Sequence, residues 1–376
     1  MPKARKGKVN IMKKAKAAVF VGPMKDFEIR EYELTPPKSG YAQLSLIASG
    51  VCGTDIHIHN GKLGGNGPQI IGHEFVGRIE AADEKELERF GLKLGDAVIS
   101  DIAVPCGECL LCKNGDDANC VNMQVTNGGN PDEAPHFHGG FAEYSYAPLT
   151  NLIKIPEGVN PKMAAVCACP GPTAIHAFSL AELANCKINE AKTAVVQGLG
   201  PVGCFAVAYL ASMGIENVVA IAAGVTDERR EKVEKLGAGK VYDLLAQPEE
   251  EIIKEIIEIS GGLGADVVFE ASGSPKAVPT GINLLRNRGV YLVPGQYSNS
   301  GGIEIQPQLI TFKALHIIGS SQYSMNDVHA YVNFLKENPA LHPAIEELAT
   351  CYKVEEINKA FEEAKAKNNV KTLLVK

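Results

Sequence analysis

The chain has 376 residues, of which 45% are hydrophobic and 22% are charged, and its formal net charge is −7. This length and composition predict two or three domains with a sizeable apolar core. The acidic balance disfavours general nucleic-acid binding, and no apolar run reaches the ~18 residues of a membrane-spanning helix. We therefore expect an ordinary globular protein with neither nucleic acid nor membrane as partner.

The N-terminal segment is basic from Lys3 to Lys16, but no apolar run follows it as a secretory signal would require. The chain has ten cysteines, and Cys186, Cys204 and Cys351 stand in apolar or helical surroundings that predict buried free thiols. These features predict a protein of the reducing cytoplasm.

The first part of the chain, residues 17 to 165, is rich in short strand-like segments. The apolar or alternating runs are Val19–Val21, Ala42–Ala48, Phe75–Glu80 and Ala97–Ser100. Glycine and proline punctuate them, which predicts a β-rich, partly barrel-like domain.

Four cysteines lie close together inside this first part, at Cys106, Cys109, Cys112 and Cys120. Two residues between thiolates let a tight loop surround one tetrahedral ion, and Gly107 gives that loop its backbone freedom. Disulfides are disfavoured because cysteines three apart cannot pair locally without strain. The spacing favours a structural zinc lobe at about residues 104–122 over an iron–sulfur cluster, and a closed four-thiolate shell does no chemistry.

From about residue 170, strands and helices alternate at short spacing. The predicted strands are Thr193–Gln197, Asn217–Ala222, Lys240–Leu244, Asp266–Ala271 and Gly289–Pro294, with helices at Cys204–Met213, Asp227–Leu236 and Glu249–Ser260. This alternation predicts a doubly wound parallel sheet covered on both faces. From about residue 310 the chain is expected to leave this unit, with a strand at Ala314–Gly319 and helices at Asp327–Glu337 and Val354–Lys367.

A glycine-rich turn joins the first predicted strand of this unit to its first helix. Gly198 allows the tight turn, Gly200 lets the backbone approach a pyrophosphate, and Gly203 lets helix and strand pack closely. The helix that begins at Pro201 and Val202 offers unpaired N–H groups to phosphates. Alone the motif is a weak signal, but the strand before it and the helix after it favour dinucleotide binding.

The choice between NAD and NADP stays open. An NAD site usually has an acidic residue at the end of the second strand, and here Gly224 stands at that place. Without the acid a 2′-phosphate is not repelled, and Arg229 or Arg230 could meet it. Asp227 is equally well interpreted as a helix N-cap, and both arginines as solvated side chains.

Cys52 and His73 lie in two separate loops of the first part. Catalytic zinc takes three protein ligands and keeps one position open. Cys169 is a third candidate, at the place where the first part gives way to the second, and Cys167 is its rival. Taken singly, Cys52 fits a buried thiol and His73 a satisfied core histidine equally well.

Several motifs in order make the chain similar to the zinc-dependent medium-chain dehydrogenases, the group of alcohol, sorbitol and threonine dehydrogenases. They are Cys52-Gly-Thr-Asp-Ile-His57, Gly72-His-Glu74, the four-cysteine lobe, Gly139-Gly-Phe-Ala-Glu-Tyr144, Cys169 with Thr173, Gly198–Gly203 and Glu270-Ala-Ser-Gly273. The resemblance implies a GroES-like catalytic domain over residues 1–170, a Rossmann dinucleotide-binding domain over 171–309 and a return to the catalytic domain over 310–376. It also implies a homodimer or homotetramer.

The resemblance further implies a ligand set. Cys52, His73 and Cys169 would hold a catalytic zinc, Glu74 would lie beside the metal as a transient ligand, and Asp55 would orient His73. Polyol-type relatives often have glutamate where Cys169 stands, so at this position the chain is closer to alcohol dehydrogenases.

The implied mechanism moves the substrate's hydroxyl proton through Thr54, then a cofactor ribose hydroxyl, to His57 at the surface, with Thr173 beside the cofactor. The predicted function is zinc-dependent hydride transfer between an alcohol or polyol, or the matching carbonyl, and NAD(P). The alternatives are an aldehyde dismutase with tightly bound nicotinamide and a non-enzymatic NAD(P)-binding relative.

Overall fold

Two sheets organise the protein, and the computed structural model describes residues 13–376. The basic residues that precede Lys13 lie outside the described part.

The strands of the described residues are β1 (Lys14–Val19), β2 (Glu28–Glu33), β3 (Tyr41–Val51), β4 (Glu74–Ala81), β5 (Ala97–Ser100), β6 (Ala103–Val104), β7 (Gln124–Val125), β8 (Tyr144–Pro148), β9 (Leu152–Lys154), β10 (Thr193–Gln197), β11 (Asn217–Ala222), β12 (Lys240–Asp243), β13 (Ala265–Glu270), β14 (Leu285–Val293), β15 (His316–Gly319), β16 (Ala349–Lys353) and β17 (Lys371–Val375).

The helices are α1 (Gly53–His59), α2 (Glu84–Arg89), α3 (Leu110–Lys113), α4 (Pro161–Ala164), α5 (Pro170–Leu183), α6 (Pro201–Ser212), α7 (Asp227–Lys235), α8 (Glu249–Ile259), α9 (Ala277–Leu284), α10 (Gln308–Phe312), α11 (Met325–Glu337), α12 (His342–Glu346) and α13 (Ile357–Lys365).

The first sheet is mostly antiparallel, in the order β16-β17-β3-β4-β5-β9, and β8 also pairs with β3. Its long strand β3 buries most of its residues, which suits the centre of a sheet. The last strand of the chain, β17, lies antiparallel to β3 with Thr372 opposite Val51. The C-terminus therefore completes the β-rich domain that the first part of the sequence predicts.

The second sheet has six parallel strands in the order β12-β11-β10-β13-β14-β15. All five residues of its central strand β10 are buried, because helices cover both faces of the sheet. This order is that of a doubly wound dinucleotide-binding sheet, which confirms the predicted fold class. The predicted bounds of β10 and β11 agree with the structure.

The second sheet continues past residue 309, contrary to the predicted boundary. β15 pairs in parallel with β14 from His316 to Gly319, and α11 packs against α5. The chain rejoins the first sheet only at β16, which begins at Ala349. The sequence misleads here because residues 299–308 are exposed and β15 is a short, half-exposed edge strand.

A shared core lies between the two sheets. It joins Ala48, Val76 and Ile99 of the first sheet to buried residues of α5, α6 and β10. The start of α5 is thereby fixed at the junction of the two sheets.

No single helix within residues 13–376 has both the length and the apolar composition to cross a membrane. Two segments bent by 54° at their junction, Pro161–Cys167 and Pro170–Leu183, pass that test when taken together. Most of their residues are buried inside the protein.

Candidate metal and nucleotide sites

The four cysteines at residues 106–120 form one local cluster, with sulfur atoms within 4.8 Å of one another. Strands β6 and β7 close the base of this lobe, with Ala103 opposite Val125. Inside it, main-chain amides donate to sulfur: Cys109 N lies 3.3 Å from Cys106 Sγ, and Cys106 N lies 3.2 Å from Cys120 Sγ.

These amides favour the ionised thiols. The N–H group of Cys112, followed by that of Val121, lowers the pKa of Cys109 to about 6. The amide of Glu108 likewise lowers the pKa of Cys106, whereas burial raises that of Cys112 to about 12. Four converging sulfurs, some of them stabilised as thiolates, fit a tetrahedral zinc ion with no open position.

A second cluster combines Cys52, His73, Glu74 and Cys169, with one donor atom of each within 4.8 Å of the others. Cys52 is the N-cap of α1 and Cys169 the N-cap of α5, while His73 directly precedes β4. Pairing of β3 with β4, and packing of α5 on the first sheet, bring these distant segments together.

The cluster contains Cys169 and not the rival Cys167. Cys167 is fully buried in the core, and burial raises the pKa of its thiol far above the ordinary value. An apolar pocket of this kind disfavours the thiolate that a metal ligand must become.

Asp55 holds two members of the cluster at once. Its Oδ2 accepts a 2.9 Å hydrogen bond from the Cys52 amide, and its Oδ1 lies 3.3 Å from His73 Nδ1. Burial alone would lower the pKa of His73, but the Asp55 carboxylate and then Cys52 raise it well above the ordinary value. With Nδ1 facing Asp55, Nε2 is the nitrogen left to ligate a metal.

The two thiols of the cluster influence each other's pKa in opposite directions. The hydrogen bond from Cys169 lowers the pKa of Cys52 despite burial, and the same bond raises the pKa of Cys169. Two sulfurs and an imidazole are a donor set that zinc prefers when a fourth position stays open. The residues present therefore fit a catalytic zinc ion.

Thr54 and His57 follow Cys52 on α1. Thr54 Oγ1 lies 3.8 Å from Cys52 Sγ. His57 is half-buried, its Nε2 lies 3.3 Å from Ser298 Oγ, and burial, followed by the charge of Lys62, lowers its pKa. The sequence analysis missed Ser298, because a serine in a loop carries no spacing signal.

Lys371 is a second residue that the sequence analysis missed. It is fully buried at the start of β17, and its Nζ contacts Glu74 Oε2. Burial raises the pKa of Glu74 to about 7, although Lys371 opposes that shift. A single charged residue in the otherwise uncharged Val370–Val375 run was a signal that the sequence offered.

The glycine-rich turn has the geometry of a pyrophosphate site. Gly198 has φ +94°, and a Cβ there would lie 2.6 Å from the Ser272 backbone. A Cβ on Gly203 would lie 1.9 Å from the Gly198 carbonyl oxygen, whereas nothing lies within 4 Å of one on Gly200. Gly200 caps α6, which begins at Pro201, so free amides face an open approach.

The end of β11 lacks an acidic side chain, but an acid reaches it from β12. Asp243 accepts hydrogen bonds from the Gly224 amide at 2.7 Å and from the Val225 amide at 3.0 Å. Arg229 donates to the Leu199 and Lys367 carbonyls at 2.7 and 3.3 Å, and Arg230 donates to the Val241 carbonyl. Both arginines thus have main-chain partners.

Two other predicted cofactor contacts lie close to these features. Val202 is half-buried in the first turn of α6 and packs against the core. Thr173 donates to the Cys169 carbonyl at 2.8 Å and lies beside the Cys169 sulfur.

A GroES-like first domain, a doubly wound second domain and a cysteine–histidine cluster at their junction define a two-domain dehydrogenase. Residues 38–157 match the alcohol dehydrogenase GroES-like domain, and residues 201–337 match the zinc-binding dehydrogenase domain.

Individual relatives agree with these family models. The chain is 32% identical to the erythritol/L-threitol dehydrogenase of Mycolicibacterium smegmatis, over 77% of this chain and 78% of that one. An alcohol dehydrogenase structure from Thermotoga maritima has a TM-score of 0.87 at 27% identity, covering 96% of this chain and 99% of that one. A short chain alcohol dehydrogenase from Escherichia coli CFT073, complexed with cofactor NADH, has a TM-score of 0.77 at 26% identity and covers 96% and 99% of the two chains.

The chain belongs to the zinc-dependent medium-chain dehydrogenase family, as the resemblance in its motifs implies. It is an oxidoreductase that uses zinc and NAD(P). The relatives give no support to the dismutase or to the non-enzymatic alternative.

Proposed function

We propose that the protein is an alcohol or polyol dehydrogenase whose catalytic zinc is held by Cys52, His73 and Cys169. The lobe of Cys106, Cys109, Cys112 and Cys120 holds a second, structural zinc. The observation that carries this proposal is the convergence of two thiols and one imidazole from three distant segments.

When bound in such a site, zinc polarises a substrate oxygen and stabilises negative charge on it, and NAD(P) accepts or returns the hydride. The protein's own residues set the geometry. Asp55 fixes the His73 ring, and the α1 amino end fixes Cys52.

Thr54 and His57 carry the substrate's proton toward the surface. Thr54 is next to the ligand Cys52, and His57 lies on the same helix with Ser298 at its outer nitrogen. The lowered pKa of His57 keeps the imidazole neutral near pH 7, so it can accept a proton during alcohol oxidation.

The glycine-rich turn at residues 198–203 would hold the cofactor's pyrophosphate, and Gly224, at the end of β11, would be the residue nearest its adenosine ribose. The Asp243 carboxylate already accepts hydrogen bonds from the Gly224 and Val225 amides. Thr173 lies next to the Cys169 sulfur of the metal cluster. NAD and NADP both stay candidates.

The proposed substrate is a small alcohol or polyol. Burial raises the pKa of Tyr297 and of Tyr323, and the charge of Cys52 or Cys169 adds to each shift, so both phenols lie within electrostatic range of the metal cluster. A phenol that reached the open metal position would offer a hydrogen-bonding group for a second hydroxyl. A relative that acts on erythritol or L-threitol supports the polyol choice.

A homodimer or homotetramer is proposed on the open edge of the second sheet. β15 has no further neighbour among the described strands, and Ile317, Ile303 and Phe312 expose 44%, 46% and 77% of their surface near it.

The cysteines among residues 13–376 are all unpaired, which supports a reducing, cytoplasmic location. Cys186 and Cys204 are buried as predicted, but Cys351 is exposed, because it lies on β16 at the edge of the first sheet.

Metal stoichiometry tests the central assignment. Cys169→Ser should lower bound zinc from about two ions per chain to about one and lower turnover by roughly 10³-fold. Cys167→Ser is the matched control, because its sulfur is two residues away yet outside the cluster, and it should keep both ions. The proposal fails if Cys169→Ser keeps both ions, or if Cys167→Ser loses one.

A further inference from the structure

A buried ion pair lies behind the proposed catalytic cluster. Lys371 and Glu74 are each 1% exposed, and the Lys371 Nζ contacts the Glu74 carboxylate and lies 3.3 Å from the Val51 carbonyl oxygen. A buried charge is costly unless it has a partner, and replacing one partner leaves the other unpaired. The pair must therefore be considered as a unit.

The pair crosses the backbone of β3 at Gly50. In the first sheet, Gly50 lies opposite Leu373 of β17 on one side and opposite Glu74 of β4 on the other. A Cβ on Gly50 would lie 1.8 Å from Glu74 Oε2 and 2.8 Å from Lys371 Cε. Only a residue without a side chain leaves room for the two groups to meet there.

The Glu74 carboxylate has two possible partners, a metal ion in the cluster and the Lys371 ammonium group. One of its oxygens lies within 4.8 Å of the donor atoms of Cys52, His73 and Cys169, so it is within reach of a shared metal ion. The same carboxylate contacts Lys371, and apart from this ion pair neither oxygen has a hydrogen-bond partner among the described residues.

The charges at the site favour the position of the Glu74 carboxylate on Lys371 over a position on the metal ion. Two thiolates and a neutral imidazole already neutralise a divalent ion, so a further carboxylate would fill the position that substrate must use. On β17 the Lys371 ammonium group pulls the carboxylate toward the strands, away from that position.

We propose that Lys371 is a positioning residue that holds the Glu74 carboxylate over Gly50, and so keeps the fourth coordination position open to substrate. The inference rests on the proposed function of Cys52, His73 and Cys169 as metal ligands. It assigns a role to a residue at the far end of the chain that touches neither the substrate nor the metal.

Imidazole binding to the cobalt-substituted protein tests this role, because a new ligand changes the visible absorption of cobalt. The variants are Lys371→Met, which removes the charge at similar length, Lys371→Arg, which keeps it, and the double variant Lys371→Met/Glu74→Gln. Lys371→Met should weaken imidazole binding by about 10- to 100-fold. Lys371→Arg and the double variant should bind within about threefold of the unmodified protein, because no free carboxylate competes.

Unchanged imidazole affinity in a cobalt-loaded Lys371→Met protein would overturn the proposal, as would a double variant as weak as the single one. Should Lys371→Met not fold, a crystal structure of the zinc-loaded natural sequence decides. A Glu74 oxygen bonded to zinc at about 2.0–2.2 Å would refute the role, and a carboxylate on Lys371 would support it. Cobalt bound at the lobe alone in the unmodified protein would instead refute the proposed function.

Discussion

The two sulfur clusters of this protein are built in opposite ways. The lobe takes its four sulfurs from residues 106–120, and neighbouring main-chain amides point at them. The cluster at the domain junction takes its donors from residues 52, 73 and 169, and strand pairing and helix packing bring them together. A short segment can specify a metal site by itself, whereas the second site exists only in the folded protein.

The difference extends to chemistry. Three of the lobe's four thiols are half-exposed, and four thiolates close the shell around an ion. At the junction, Cys169 and Glu74 are buried, and Asp55 and Lys371 lie directly behind the ligands. We therefore expect changes in the lobe to affect stability and changes at the junction to affect turnover.

The largest effect that separates the two regions is expected from Cys109→Ser. Losing one lobe ligand should release the structural zinc and lower the unfolding midpoint by about 5 °C or more. Turnover per folded molecule should change by less than about twofold, because the lobe does no chemistry. Calorimetry and steady-state kinetics give both values, and Cys351→Ser, at an exposed free thiol, is the control. If Cys109→Ser lost turnover but kept its stability, the lobe would have a catalytic role and not the structural one that we expect.

A smaller effect is expected from His57→Ala, which tests whether the cluster at the domain junction passes its proton to this histidine. Because burial lowers the pKa of His57, the natural imidazole keeps its neutral, proton-accepting form to a lower pH than a solvent-exposed histidine does. The variant depends on solvent base, which becomes scarce as pH falls, so alcohol oxidation should slow by roughly 10-fold at pH 6 and less at pH 9. The pH profile of kcat measures this, with His329→Ala on the exposed face of α11 as control. A uniform loss across the pH range would argue against a role in proton transfer.

The smallest effect is expected from Arg229→Ala, which removes a distant support of the glycine-rich turn at residues 198–203. Arg229 ties the Leu199 carbonyl of the turn to Lys367, at the end of the last helix. Arg229→Ala should weaken NADH and NADPH binding by a similar factor of about 3 to 10, because a charged hydrogen bond to the turn is lost. Fluorescence titration measures both affinities, and Arg89→Ala at an exposed helix position is the control. A loss confined to NADPH would place Arg229 on the 2′-phosphate instead.

The sequence was most informative where the chemistry is local. The alternation after residue 170 predicted the parallel sheet, because short apolar strands and helices follow one another closely along the chain. The glycine-rich turn could be predicted for the same reason, since all its steric demands fall within residues 198–203 and the neighbouring strand end.

The rest depends on contacts between distant residues. No spacing rule connects Lys371 with Glu74, because their proximity follows from the order of β17, β3 and β4. Ser298 and Asp243 likewise reach their partners through loops and strand ends. The edge strand β15 was assigned to the wrong unit because a short exposed strand carries little pattern of its own.

Anomalous X-ray diffraction at the zinc absorption edge, on crystals grown with zinc and NAD(P)H, is the most direct test of the account. We predict two peaks per chain: one among the four lobe cysteines, and one bonded to Cys52, His73 and Cys169 at about 2.0–2.3 Å with the Glu74 carboxylate on Lys371. A lobe peak alone, with no metal density between Cys52, His73 and Cys169, would contradict the catalytic site that we propose.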